Sequence, residues 1–312
     1  MSRIHNLILT HGRDQALRLA TATERPLVDV AARILEEEST NLGITYSGFC
    51  LTSLPHRRLP DDQDWQRVGN RVSLLIEPGK IPVAGQLRTY GVPYGSRARM
   101  ILIYLQTQAL KENSPTVELG RSMNAWLDRM DIPACGKNYR DVAEQAARIS
   151  ACRLTFWWQD GNGADAFKKD SIVEGGIRLQ QQSDDLRQGA FWQDTVQLSE
   201  SFYRALRDHP VPIWEPAVRA ISGKSMALDI YIWLAYRLHV LSRPTPISWT
   251  ALHAQFGGGY RLVRQFKPQF IQALGYALAV YPEAKVEADE GQGGIVLHPS
   301  SPPIPERLIG RR

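Results

Sequence analysis

The sequence predicts an α+β protein, mainly helical, in which two tandem winged helix-turn-helix units follow a small α+β N-terminal region. Three observations carry this. The order helix, short strand, helix, helix, hairpin is written twice, once after Gly95 and again from near Ser222. In both copies the third helix runs straight into a strand, as "ARISACRLTFWW" and as "ALGYALAVYPEAKVEA". Both hairpins are marked by glycine-bearing polar turns, "QDGNGAD" and "DEGQGG", the chemistry that tight reversals require. Three helices closed by a β-hairpin make the winged form of the helix-turn-helix, whose third helix enters the DNA major groove.

A chain of 312 residues with 43% hydrophobic content can bury a sizeable core in about two domains. The pattern divides it into an N-terminal region 1–90, a first winged unit 91–190, a second winged unit 191–300 and a tail 301–312. In the N-terminal region, "PLVDVAARILEEES" (26–39) is an amphipathic helix with Leu27, Val30 and Ile34 on one face, although its acidic run occupies the end that disfavours acids. "YSGFCLTSL" and "RVSLLIEPG" are expected strands around the polar loop "PHRRLPDDQDWQ". Asp61, Asp62 and Asp64 in that loop suggest magnesium only weakly, because an acidic loop behind a proline is usually a solvated turn.

The first winged unit opens with "GVPYGSRARMILIYLQTQAL", a turn and then a buried helix that Ser96 is placed to cap, running to about Glu112. Arg97 and Arg99 stand at its amino terminus, where cations are disfavoured by the helix dipole unless an anion arrives from outside. "TVEL" is a short strand, "GRSMNAWLDRM" a second helix and "NYRDVAEQAARISA" a third; "CRLTFWW" and "SIVEGGIRLQ" form the hairpin, and "DTVQLSESFYRALRDH" adds a strand and a helix. Helical phase puts Tyr139, Val142, Ala146 and Ile149 on the inner side of the third helix, with Lys137, Arg140, Glu144 and Arg148 outside. Asp141 and Glu144 dilute that face, so it reads equally well as a solvated surface with an i, i+4 pair.

The second unit repeats the order with "SGKSMALDIYIWLAYRLHVLS", "SWTALHAQFG" and "GGGYRLVRQFKPQFIQALGYALAV" before its hairpin. On its third helix Val263, Phe266, Phe270, Leu274 and Ala277 fall on one side, and Arg261, Arg264, Gln265 and Gln272 on the other. That outer face offers bidentate donors for guanine, amides for adenine and, at its margin, Lys267 for phosphate. No acid occurs between Gly257 and Tyr281, whereas a merely solvated helix mixes signs. Pro268 either bends this helix or starts its regular part, leaving Arg261 and Arg264 in the approach turn.

A net charge of +5 permits a polyanionic partner without proving one. Cys50, Cys135 and Cys152 are far apart, with no C-x-x-C pair, as expected of a reduced cytosolic chain. The four-residue apolar run near the amino terminus is too short for a secretory segment, and the most apolar long helix carries Asp229, Arg237 and His239; no membrane span and a cytoplasmic location are therefore expected. "SGKSMA" lacks the glycine a phosphate loop needs, since that position is Val218, and "GNGADA" lies between strands as a hairpin turn would. None of the seven histidines forms the spaced pair of a rolling-circle nuclease, and His253 fits a helix residue better than a ligand. No catalytic residue, cofactor or metal is expected.

At "GVPYGSRARMILIYLQTQA", "GKNYRDVAEQAARISACRLTF", "SMALDIYIWLAYRLH" and "YALAVYPEAKVE" the chain resembles the RepA-type plasmid replication initiators of Gram-negative bacteria, over about residues 26–298. The resemblance implies a non-enzymatic initiator that binds repeated duplex sequences at a plasmid origin and helps recruit host initiator and helicase proteins. It supplies no contact map, so the DNA-facing set Arg97, Arg99, Lys137, Arg140, Arg148, Arg261, Arg264, Gln265 and Lys267 rests on helical phase. A winged-helix transcriptional regulator, including one that represses its own promoter, is the alternative; a nuclease or primase is disfavoured by the missing motifs. Whether the active form is a monomer or a homodimer is left open.

Overall fold

A computed structural model describes residues 2–69, 72–83, 85–159, 165–174, 195–289 and 293–304. Two compact units emerge: a terminal unit of Met1–Gly43, Phe49–Ser53 and Val211–Arg312, and a central unit of Ile44–Gly48 and Leu54–Pro210. These boundaries depart from the divisions expected at 90, 190 and 300. The N-terminal residues join no region of their own; the first 43 belong with the C-terminal third because their apolar helix faces need the surface that the later helices supply.

In the terminal unit, helices Arg3–His11, Arg13–Leu19 and Arg25–Leu35 come first. Pro26 stands in the opening turn of the third of these, and Leu27, Val30 and Ile34 are buried as the pattern predicts. This helix ends at Leu35 with Glu36 at its C-cap, so the acids stand at the negative end of the dipole, where their exposure to solvent keeps the cost small. Leu27 packs where Gly275 leaves room: a Cβ there would lie 2.9 Å from Leu27 Cδ1. Buried His5 donates from Nε2 to the carbonyl of Ala279 at 3.1 Å and meets Ser2 Oγ through Nδ1 at 2.8 Å. The later part of the unit runs helix Ser225–Arg237, strand Thr245–Ser248, helices Trp249–Phe256 and Val263–Ala279, and strands Val286–Asp289 and Gly294–Leu297. All three strands form one antiparallel sheet, with Gly294–Leu297 in the middle and Leu297 opposite both Thr245 and Val286.

In the central unit, strands Trp65–Val68, Val72–Glu77, Arg153–Gln159 and Asp165–Asp170 form an antiparallel sheet in that order. Val72, Leu74 and Ile76 alternate inward, and Leu74 and Ile76 face Phe156 and Leu154 across the ladder. A separate two-stranded ribbon, Gly79–Val83 with Gln86–Tyr90, follows. Helices Gly95–Lys111, Met123–Arg129 and Gly136–Ala151 come next, and helix Glu200–Asp208 closes the unit. Thr116–Glu118 pairs with Thr195–Leu198, which also pairs with Val173–Glu174.

Four local expectations change. "YSGFCLTSL" is no strand: Leu42–Tyr46 is, and Ser47–Leu51 turns into a short helix. Ser96 does not cap its helix; Tyr94 holds the cap position, and Gly95, at φ +73°, makes the left-handed entry that glycine adopts without strain. Serine caps do form at Ser122 and Ser248, each accepting from a backbone N–H three residues on at 3.2 Å. The strand returning from Arg153–Gln159 is Asp165–Asp170, earlier than "SIVEGGIRLQ", of which only Val173–Glu174 is strand among the described residues and everything from 175 on lies outside them, as does most of the turn "QDGNGAD". That hairpin extends the sheet of Val72–Glu77 and does not pair with the short strand Thr116–Glu118. No helix among the described residues is long and apolar enough to cross a membrane.

Candidate nucleic-acid interface

The helix Val263–Ala279 is fixed in rotation by aromatic packing. Phe266 and Phe270 are completely buried; Phe270 lies 5.9 Å from Trp249 and 5.6 Å from Phe256, centroid to centroid, and Phe256 meets Trp233 at 5.4 Å. The Trp249 and Trp233 contacts are edge-on and the Phe256–Phe270 contact is tilted; aromatic pairs of this kind add about 0.5–1.5 kcal/mol each beyond burial. With that side anchored, Arg264, Gln265 and Gln272 are exposed, as helical phase predicts, and Gln269 is exposed beside them. The helix starts at Val263, so Arg264 and Gln265 belong to its first turn and Arg261 to the approach. Pro268 therefore lies inside the helix. It has no N–H to give the carbonyl of Arg264, and both residues are exposed. The approach turn is tied down by His253, whose Nε2 donates to the carbonyl of Tyr260 at 2.8 Å while its ring stands edge-on to Phe266. Half-buried Lys267 places its ammonium 4.8 Å from the centroid of the Trp249 ring.

On the Gly136–Ala151 helix only the first turns are open. Lys137 and Arg140 are exposed. Arg97 is half-buried and donates to Asn138 Oδ1 at 2.9 Å, while Asn138 Nδ2 donates to the carbonyl of Pro133 at 2.7 Å. Burial lowers the pKa of Arg97, and Asp141 partly offsets this.

Arg99 and Arg148 belong inside the protein, a correction to the face expected from phase alone. Arg99 is 4% exposed; its Nη1 donates to the carbonyl of Gly95 at 2.7 Å and its Nη2 to that of Leu54 at 2.8 Å. The guanidinium thus satisfies the helix entry from within, and no external anion is needed to explain it. Arg148 is 2% exposed; it donates to Asp61 Oδ1 at 2.7 Å, to Glu144 Oε1 at 2.9 Å and to the carbonyl of Val92 at 3.3 Å, over the face of Tyr94. Asp61 is accordingly an ion-pair partner. Burial pushes its carboxyl up, but the hydrogen bonds and charges of Arg148 and Arg58 together hold it below its ordinary value. No cluster of potential metal ligands occurs among the described residues.

One signal was missed in the sequence. The acid-free stretch is longer than the helix Val263–Ala279, reaching from Ile230 to Pro282, and a second runs from Pro78 to Lys111. The Val286–Leu297 hairpin reverses this trend, carrying Glu287 in contact with His298 at 3.3 Å. The unit is thus basic at its helix and acidic at its hairpin.

A family model described as plasmid encoded RepA protein matches residues 92–250. Comparison with curated proteins gives no match. Among solved structures, a crystal structure of the selenomethionine derivative of domains 2 and 3 of RctB is similar, with 10% identity and a TM-score of 0.52 over 83% of this chain and 99% of that one. Another structure of RctB domains 2 and 3 has 12% identity and a TM-score of 0.40, over 80% and 93%. At such identities the first likeness concerns the fold alone.

Proposed function

Because the chain belongs to the plasmid encoded RepA protein family, whose model spans more than half of it, we propose that it is a non-enzymatic plasmid replication initiator that binds repeated duplex sequences at its origin. The observation that carries the DNA-binding part is the exposed, acid-free first half of Val263–Ala279, held in rotation by a buried aromatic cluster. We read Ser225–Leu297 as a winged helix: three helices, with a strand after the first and a hairpin after the third, close on one three-stranded sheet. Gly95–Gln159 follows the same order of helices, although its hairpin joins a different sheet.

In this reading Arg264 and Gln265 address base edges, because a guanidinium or an amide can make two hydrogen bonds to one purine. Arg261 and Lys267 hold phosphates, which position the protein without reading sequence. Lys137 and Arg140 play the corresponding part in the central unit, and Arg97 acts through Asn138 to fix the start of their helix. Host initiator and helicase proteins are the partners the family implies. The test is a footprint on the DNA flanking the gene, without ATP or divalent metal. Several protected repeats beside an AT-rich tract are expected. A single promoter palindrome would instead make the protein a regulator, and strand cleavage in a parallel reaction supplied with magnesium would make it an enzyme.

A further inference from the structure

We propose that the ribbon Gly79–Val83 with Gln86–Tyr90 is a second DNA-contacting element, a basic arm of the central unit that grips the duplex backbone beside the Gly136–Ala151 helix. The inference rests on the DNA-binding reading above and assigns a role to residues that the helix-turn-helix pattern does not include. The ribbon is antiparallel, with Lys80 opposite Thr89, Ile81 opposite Arg88 and Pro82 opposite Leu87. Opposed residues share a face, so Lys80, Pro82, Leu87 and Thr89 lie together, and all four are exposed. On the other face Gly79, Ile81 and Tyr90 are half-buried, whereas Gln86 and Arg88, nearer the tip, are exposed. One face therefore leans on the protein at the root only, and each face carries an available cation, Lys80 on one and Arg88 on the other.

The root of the ribbon is fixed. A Cβ on Gly79 would lie 1.7 Å from the carbonyl oxygen of Ala151, so this strand passes directly against the end of the helix. A helix rises about 1.5 Å per residue, which puts Lys137 roughly 20 Å from that root. This span is shorter than one turn of duplex DNA, about 34 Å, so ribbon and helix start can meet the same stretch of backbone.

The chemistry selects a polyanion as the occupant. Leu87 is 73% exposed, the most exposed large hydrophobic residue among those described. A bare apolar protein-binding face would not need cations beside it, yet Lys80 stands on the face of Leu87 and Arg88 next to it on the opposite face, and the 78–111 stretch that contains them has no acid at all. Arg88 lies 4.9 Å from the Tyr90 ring centroid, which orients the guanidinium without neutralising it. Pro82 and Leu87 then meet the sugar edge of a groove, where apolar side chains are used by proteins that hold DNA through its minor groove.

The test compares wild type with the double variant K80Q/R88Q and with R264A, on origin duplex over a range of salt concentrations. Loss of two phosphate contacts should shrink the slope of log K against log salt by about 1.8, with circular dichroism unchanged because both side chains are exposed. L87S should lower affinity while leaving the slope alone. If wild type binds and R264A weakens binding, but K80Q/R88Q matches wild type in affinity and slope, the arm is wrong and the DNA-binding reading stands. If K80Q/R88Q changes only the sedimentation behaviour, the ribbon contacts protein and the proposal fails. No duplex binding by wild type at low salt would remove the function reading and the arm with it.

Discussion

Replacing Arg148 by alanine separates an internal tie from a DNA contact. The guanidinium is 2% exposed and makes short bonds to Asp61 and Glu144. Removing one partner of a buried ion pair costs about 3–5 kcal/mol, because the other charge is left unpaired. Here the side chains of Asp61 and Glu144 are 38% and 35% exposed, so water recovers part of that loss. The lost bond to Val92 and the lost packing on Tyr94 act the other way, and a net loss of about 2–4 kcal/mol is expected. With a urea slope of about 2 kcal/mol per molar for a unit of this size, its midpoint should fall by about 1–2 M. The pH dependence has a definite sign. Asp61 has its pKa lowered from 3.8, so the stability it contributes is complete above that value and is lost as pH falls through the depressed one. That acid-sensitive component should vanish in the variant. Arg148→Lys keeps a charge but cannot fork between two carboxylates, and should fall between the two. A urea midpoint within 0.3 M of wild type, roughly 0.6 kcal/mol at that slope, joined to a DNA salt slope reduced by about one, would refute the placement and put the guanidinium on a phosphate.

Other substitutions test other elements. Arg264→Ala should weaken the cognate site by about 1–3 kcal/mol and relax preference at one base position, measured by titration against single-base variants. Lys267→Ala should weaken cognate and scrambled duplexes alike and cut the salt slope by about one; a loss confined to the cognate site would contradict its phosphate role. Gly294→Ala places a Cβ 1.8 Å from the carbonyl oxygen of Ile247, so the strand Thr245–Ser248 must shift from its neighbour; a loss of about 1–3 kcal/mol in urea melts is expected, and an unchanged midpoint would dispute the register. His5 has its pKa lowered from 6.5, chiefly by burial, against the raising effect of its bond to Ala279. Its neutral form belongs to the fold, so its contribution is present above 6.5 and declines as pH drops toward the lower folded value. His5→Gln should flatten that decline, and melts at pH 7.5 and 5.0 compare the two.

Helical phase was legible wherever packing follows local periodicity. The spacing of Val263, Phe266, Phe270 and Leu274 is sufficient to rotate their helix correctly, since large aromatics dominate the burial. The same reasoning placed Arg148 outside, and it failed because that face is covered by Asp61 and Val92, distant in sequence. Nothing within one helix encodes a lid supplied from elsewhere. Arg99 misled in the same way: a cation at a helix start suggested an anion, while the structure uses backbone carbonyls of Leu54 and Gly95 as acceptors. "YSGFCL" favours a strand by composition, but the ladder ends at Tyr46 and the chain turns into a helix. Strand partners were the least legible, because pairing of Arg153–Gln159 with Val72–Glu77 depends on a contact across about half the central unit.

The composition of the terminal unit from both ends of the chain sets a schedule for the ribosome. The central unit needs almost no residue beyond Pro210 and can close while synthesis continues. The first 43 residues cannot, since the helix that receives Leu27 and His5 ends at Ala279. At roughly 5–20 residues per second, the three leading helices wait on the order of 10–50 s with apolar faces uncovered. Throughout that interval they are natural clients for a holding chaperone, and slower translation lengthens their exposure before the protein exists as a whole.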